Sequence, residues 1–269
     1  MINKMISFIG GGNMATAIIG GLLSSGLSDR DHIYATAAHE ATVLRLKENF
    51  GIDAGTDNKI AAQKADILFL AVKPNMFHKV IPEIRHAITD DTIIVSIAAG
   101  QPIERIENMF ERSVKLVRVM PNTPALVGAS MSAICCNDEI TEDELVEIQA
   151  IFNSFGEAEV ISEHLMDTVI GVSGSSPAYV YMFIEAMADA AVADGMPRAQ
   201  AYKFAAQSVL GSAKMVLETG KHPGELKDAV CSPGGTTIEA VAQLEKSGFR
   251  SAVIEAQRAC VQKSRDMSS

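Results

Sequence analysis

At about one domain per 150 residues, a chain of 269 residues has room for two domains. Hydrophobic residues make up 48% and charged residues 21%; that balance supports a large core and excludes disorder as the main state. Its 23 Lys plus Arg stand against 33 Asp plus Glu, a formal charge of −10. Nucleic acid phosphates and anionic lipid surfaces are therefore not expected partners.

Taken in chain order, the first part alternates short apolar runs with helical patterns. Strands are predicted at 5–9, 32–36, 67–72, 92–97, 116–120, 131–136 and 158–161, with helices at 14–25, 41–49, 75–86, 103–110 and 142–155 between them. Such alternation predicts βαβ units on a mainly parallel, doubly wound sheet. Several strands are apolar throughout, as Ile67-Leu68-Phe69-Leu70-Ala71-Val72 is, which fits a sheet covered by helices on both faces. After Ser162 strand patterns stop, and helical spacing runs through 177–193, 198–219, 236–246 and 250–264, with prolines 177, 197, 223 and 233 at the joints. A boundary near Ser162 is expected, giving an α/β domain over 1–161 and an all-helical domain over 162–269.

The stretch 1–5 leads straight into a strand, without a charged region and long apolar run, so no secretory leader is expected. The most apolar segment, 178–193, is broken by Glu185 and Asp189 and is too short to span a bilayer. Cys135, Cys136, Cys231 and Cys260 lack the spacing of a disulfide framework and read as reduced thiols. A cytoplasmic, soluble protein is expected. The segment 177–193 is apolar on nearly every face, so it is expected to be buried against a second copy of the chain.

Residues 6–15 read as strand, glycine turn and helix start, matching G-x-G-x-x-A at Gly10, Gly12 and Ala15. Gly10 suits the tight turn, Gly12 lets backbone approach a pyrophosphate, and Ala15 permits close helix–strand packing. The helix start then offers free N–H groups to the anion. At the second strand exit stand Thr36, Ala37, Ala38 and His39, with the nearest acid, Glu40, four residues on. An acid at the strand end would favour NAD through the ribose 2′-hydroxyl. Its absence favours NADPH, with NADH as the alternative, although no compensating Arg is evident. Ala71-Val72-Lys73-Pro74, Ile97-Ala98-Ala99 and 120–124 leave further strands and are candidates to line the same cleft.

Two polar loops open helices in the second part, 172–179 and 231–237. Both combine hydroxyls with a helix N-terminus, a ready site for a substrate carboxylate. The six histidines are scattered without zinc-ligand spacing, and no metal is expected. Glu142, Asp143 and Glu144 after Thr141 read as the acidic first turn of a capped helix.

Together, residues 8–14, 71–74, 120–124, 173–179 and 232–238 resemble the pyrroline-5-carboxylate reductases, in order and over essentially the whole chain. The Ser232-Pro233-Gly234-Gly235 loop is the most specific element of the likeness. The resemblance implies NAD(P)H-dependent reduction of 1-pyrroline-5-carboxylate, the last step of proline biosynthesis, by a homodimer assembling further to a decamer. It implies cofactor contacts from Ile9, Gly10, Gly11, Gly12, Asn13, Met14, Thr36, Ala37, Asn58, Ala71, Val72, Lys73, Pro74, Ile97, Ala98 and Ala99. Substrate contacts would come from Ser232, Gly234, Gly235, Thr236 and Thr237. The N–H groups of Gly234, Gly235 and Thr236 are expected to hold the carboxylate, and the Thr237 hydroxyl the ring nitrogen. Many relatives carry Ser or Asn-Arg where this chain has Ala37-Ala38. A 3-hydroxyacid dehydrogenase, with a similar first domain, would need a lysine in the inter-domain helix, and none occurs between Lys115 and Lys203. A nucleotide-sensing scaffold without chemistry would be expected to lack an intact 232–237 loop.

Overall fold

The computed structural model describes residues 1–268, and for Ser268 the backbone alone. Eight strands alternate with helices: β1 (Ile6–Ile9), α1 (Asn13–Ser25), β2 (Ile33–Thr36), α2 (Glu40–Phe50), β3 (Asp53–Gly55), α3 (Asn58–Lys64), β4 (Ile67–Leu70), α4 (Phe77–Ile84) and β5 (Ile93–Ser96). Then follow α5 (Ile103–Phe110), β6 (Lys115–Met120), β7 (Ser130–Cys136), α6 (Glu142–Asn153) and β8 (Gly156–Val160). The rest is helical: α7 (Met166–Val169), α8 (Ser176–Ala193), α9 (Arg198–Thr219), α10 (Pro223–Val230), α11 (Thr236–Lys246) and α12 (Phe249–Ser268). The sheet order is β3-β2-β1-β4-β5-β6-β7-β8, and every neighbouring pair is parallel except β6 with β7. The expected doubly wound α/β fold with a helical C-terminal part is what forms; β3, α3, α7 and α10 are additions to the elements read from the sequence.

Period-two alternation sends β-strand side chains to two opposite cores. Phe8, Phe69, Val95 and Val117 meet α1, α2 and α6 on one face. Leu68, Leu70, Ile94 and Leu116 meet α3, α4 and α5 on the other. Phe69 is fully buried, stacked on Phe8 at 4.6 Å and 6.1 Å from Phe152. Phe69→Ala is expected to destabilise the fold by about 3–5 kcal/mol through the cavity it leaves, measurable by urea denaturation; a loss below about 1 kcal/mol would show that the sheet relaxes around the gap. The capping box expected at Thr141 forms, with Glu144 as its reciprocal partner.

The chain divides into two compact units, residues 1–175 together with 260 onward, and residues 176–259. The division falls later than the expected boundary near Ser162. Met166 is buried in the core of the first unit, and Glu163 ties Arg118 and the Ile103 N–H to one carboxylate oxygen, each at 2.8 Å. Those contacts hold residues just past Ser162 to the sheet.

In the second unit α8 has one buried residue, Ala188, although its sequence is nearly all apolar. Tyr181 and Met182 are 60% and 69% exposed, and Phe204 on α9 is 68% exposed. Among the described residues, no helix is long and apolar enough to cross a membrane.

Candidate active site

Strand register gathers the candidate cofactor residues of the first unit at one edge. Thr36, Ile9, Leu70 and Ser96 form one row across β2, β1, β4 and β5. The residues that follow, Ala37, Gly10, Ala71 and Ile97, therefore leave the sheet side by side. Main-chain bonds continue the ladder past the strand ends: Gly10 N–H to Thr36 O at 3.1 Å, Ala71 N–H to Ile9 O at 2.9 Å, and Ile97 N–H to Leu70 O at 3.4 Å. Strand order reverses between β1 and β4, and ligands of open α/β sheets bind beyond the carboxyl ends at that point.

The three glycines of the turn differ in what they require. Gly10 has φ +110°, and a Cβ there would lie 2.6 Å from Ala71 O. Gly11 is packed on α2, where a Cβ would meet Leu46 Cδ1 at 2.8 Å and Thr42 Cγ2 at 3.1 Å. A Cβ on Gly12 would meet nothing within 4 Å, so its outer face is open. Helix α1 then starts at Asn13 with no side-chain cap and no acid in its first turn. Free N–H groups, the positive end of the helix and an open glycine face suit a dinucleotide pyrophosphate.

Several candidates are present as backbone only. Ile9, Thr36 and Ala98 are buried, so their main chain alone can line a ligand. The Thr36 hydroxyl donates to Asn58 Oδ1 at 2.8 Å, and the Asn58 amide donates to Glu83 Oε2 at 3.1 Å. That bond places Asn58, the first residue of α3, beside the β2 exit. Val72, Lys73 and Pro74 leave β4 directly into a short 3₁₀ turn, Pro74–Met76. Met14 is half-buried against the core of β1 and α1.

Asn122 organises the exit of β6. Its amide donates to Ser173 O at 3.1 Å and accepts from the Met131 N–H at 3.0 Å. The segment 172–175, read from the sequence as a polar glycine turn with free donors, is wound instead as part of a π-helix over Ile170–Gly174. Its i+5 bond runs from Ser175 N–H to Ile170 O at 2.8 Å, and the Ser173 hydroxyl donates to Val169 O at 3.2 Å. The Ser175 N–H and the Ser173 hydroxyl, two of the donors expected there for a ligand, are used within the turn. Buried Cys135 is no nucleophile either: burial, reinforced by Glu163, pushes its thiol up to about 12.

In the second unit, the Ser232 carbonyl accepts from the Gly235 N–H at 3.0 Å. Pro233 and Gly234, the latter at φ +65°, are the middle residues of that turn, the pattern of type II. Gly235 is the cap of α11, which begins at Thr236 without a side-chain cap. A Cβ on Gly235 would lie 2.5 Å from Ser232 Oγ, so the serine hydroxyl sits directly over the helix start. The Gly235 N–H, expected from the sequence as a carboxylate donor, is engaged in closing the turn. The donors ahead of the first intrahelical bond are instead those of Thr236 and Thr237.

One basic residue of this region was not singled out from the sequence. Arg45, midway along α2, reaches back to the glycine turn and donates from Nη2 to Gly11 O at 3.1 Å.

Known families match both parts of the chain. Residues 163–267 match the family described as pyrroline-5-carboxylate reductase dimerisation, and residues 5–100 match NADP oxidoreductase coenzyme F420-dependent. The pyrroline-5-carboxylate reductase of Escherichia coli K12 is 54% identical over 267 residues, 99% of each chain. The chain belongs to the pyrroline-5-carboxylate reductase family. A solved family structure from Coxiella burnetii superposes with TM-score 0.93 at 33% identity, covering 100% of both chains. That of the Plasmodium falciparum pyrroline carboxylate reductase, solved with NADP bound, gives 0.91 at 32% identity, again covering 100% of both. The reductase fold thus extends along the whole chain, and its first unit is of the nicotinamide-dinucleotide type.

Proposed function

We propose that this chain reduces 1-pyrroline-5-carboxylate, a five-membered cyclic imine bearing a carboxylate, to L-proline, with NADPH as its preferred reductant and NADH as the weaker alternative. The observation that carries this reading is the open Gly12 face at the uncapped start of α1, in a chain so closely related to the Escherichia coli reductase. The first unit binds the dinucleotide; the helical unit binds the substrate and the second subunit. The bound dinucleotide supplies a hydride for the imine carbon, and the imine nitrogen gains a proton.

The protein's own residues chiefly position the reactants. Gly11, Gly12, Asn13 and Met14 hold the pyrophosphate on main-chain N–H groups, Gly10 makes the tight turn with its own N–H bonded to Thr36 O, and Ile9 supplies the strand end beneath them. Thr36, Ala37 and Asn58 flank the adenine ribose. Ala71, Val72, Lys73 and Pro74, with Ile97, Ala98 and Ala99, line the remaining cleft. No carboxylate ends β2, and Glu40 lies within the first turn of α2, so a 2′-phosphate meets no fixed negative charge at the strand exit.

Ser232, Gly234, Gly235, Thr236 and Thr237 grip the substrate. The carboxylate sits on the Thr236 and Thr237 N–H groups at the start of α11, with the Ser232 hydroxyl as a further donor. The Gly235 N–H stays in the turn. The Thr237 hydroxyl bonds the ring nitrogen and relays its proton. The exposed apolar faces of α8 and α9 are covered by the same faces of a second copy, and dimers assemble further, to a decamer. The enzyme works in the cytoplasm.

Mixing enzyme, substrate and NADPH should consume the reduced dinucleotide and yield proline, more slowly with NADH; no consumption with either would overturn the reading. Thr237→Ala is expected to lower kcat by about 10²-fold, the low end for a positioned proton relay, with a smaller change in KM. Unchanged kcat and KM would remove Thr237 from the mechanism.

A further inference from the structure

A 2′-phosphate carries charge that a protein must meet with a cation or free donors, yet Ala37 and Ala38 at the β2 exit offer no side-chain donor. Arg45 meets that need from an unexpected place. Helix spacing puts Thr42, Arg45 and Leu46 on one side of α2, and all three meet the glycine turn. A Cβ on Gly11 would touch Leu46 and Thr42, and would lie 3.5 Å from Ala37 Cβ, so Gly11 and the β2 exit adjoin. The guanidinium that donates to Gly11 O therefore stands at the corner where the second strand reaches the adenine ribose.

Arg45 is exposed at that corner. Among the described residues its hydrogen bond goes to a neutral carbonyl, which leaves its charge uncompensated and most of its five N–H donors free. Glu48, the acid nearest in sequence on α2, is three positions later, and among the described residues Arg45 makes its hydrogen bond to the Gly11 carbonyl and not to that carboxylate. Planar donors of this kind match phosphate oxygens in pairs.

Resting on the proposed reading of this turn as a dinucleotide site, we infer that Arg45 binds the 2′-phosphate and is the residue that selects NADPH over NADH. The Gly11 carbonyl holds the side chain in place before the ligand arrives, so little rotamer freedom is lost on binding.

The test compares 2′,5′-ADP with 5′-AMP, two cofactor fragments that differ by this phosphate, by isothermal titration calorimetry on the intact protein. The wild type should bind 2′,5′-ADP at least about tenfold more tightly, the scale of one charge-assisted pair at an exposed site. Arg45→Ala should bring the two affinities together while leaving 5′-AMP unchanged, and Arg45→Lys should restore part of the difference. The Arg45→Ala enzyme should also lose most of its preference for NADPH in kcat/KM. If Arg45→Ala weakens both fragments equally, Arg45 is a strut for the glycine turn and the inference fails. It fails too if the tenfold preference survives the substitution. A wild type that binds neither fragment would instead bring down the reading of the turn as a dinucleotide site, and the inference with it.

Discussion

Gly10→Ala is expected to lower both the stability of the protein and its affinity for the dinucleotide, the latter by about 100-fold or more. The backbone at Gly10 has φ +110°, a conformation open to glycine and costing other residues about 1–3 kcal/mol. An added methyl would also lie 2.6 Å from the Ala71 carbonyl, so the turn or the β4 exit must move. Either movement displaces the N–H groups at the start of α1. Gly12→Ala isolates the binding effect. Its φ of −78° is ordinary for alanine, and nothing lies within 4 Å of the added carbon. The protein should melt as the wild type does and yet bind NADPH about 10- to 100-fold more weakly, because the methyl stands where the pyrophosphate approaches. Calorimetric binding with thermal melts on both variants decides the matter. Wild-type affinity in Gly12→Ala would mean that the open face is not the pyrophosphate site.

The second large effect concerns assembly. Met182→Glu should convert the protein to a monomer and abolish most activity. Helix α8 carries an unbroken exposed apolar run, Val180, Tyr181, Met182 and Phe183, which is not a stable surface in water. In a two-fold dimer the substitution enters a self-complementary face twice, and burying each carboxylate unpaired costs several kcal/mol. Sedimentation velocity should show a single chain of 28.7 kDa, with far-ultraviolet circular dichroism unchanged. An unaltered oligomer would place the subunit contact elsewhere.

How much of this was legible in the sequence depends on what each residue's physics requires. The turn after β1 was legible because a glycine at a strand end, a second glycine and a small residue at the helix start each answer a steric demand. Strand exits at Ala71 and Ile97 followed from βα alternation alone. The three residues of β3 and the seven of α3 are too short for either period to emerge, and one exposed end of β3, Asp53, breaks its apolar run. The π-turn at 170–174 leaves no residue signature, since its i+5 bond joins main-chain atoms alone. Arg45 was hidden for a different reason. A lone arginine in mid-helix reads as a solvated charge until the fold lays that helix face against the glycine turn. The Gly235 N–H was likewise assigned to a ligand because the Ser232 carbonyl that takes it is visible in three dimensions alone.

Direct hydride delivery is the central claim, and isotope transfer tests it most directly. Substrate should be reduced with NADPH deuterated at the transferring position, and the proline examined by mass spectrometry and NMR. One deuterium per molecule on the ring carbon that had been the imine carbon is the predicted result. Proline without deuterium, or no proline from a protein that still binds NADPH, would contradict the account.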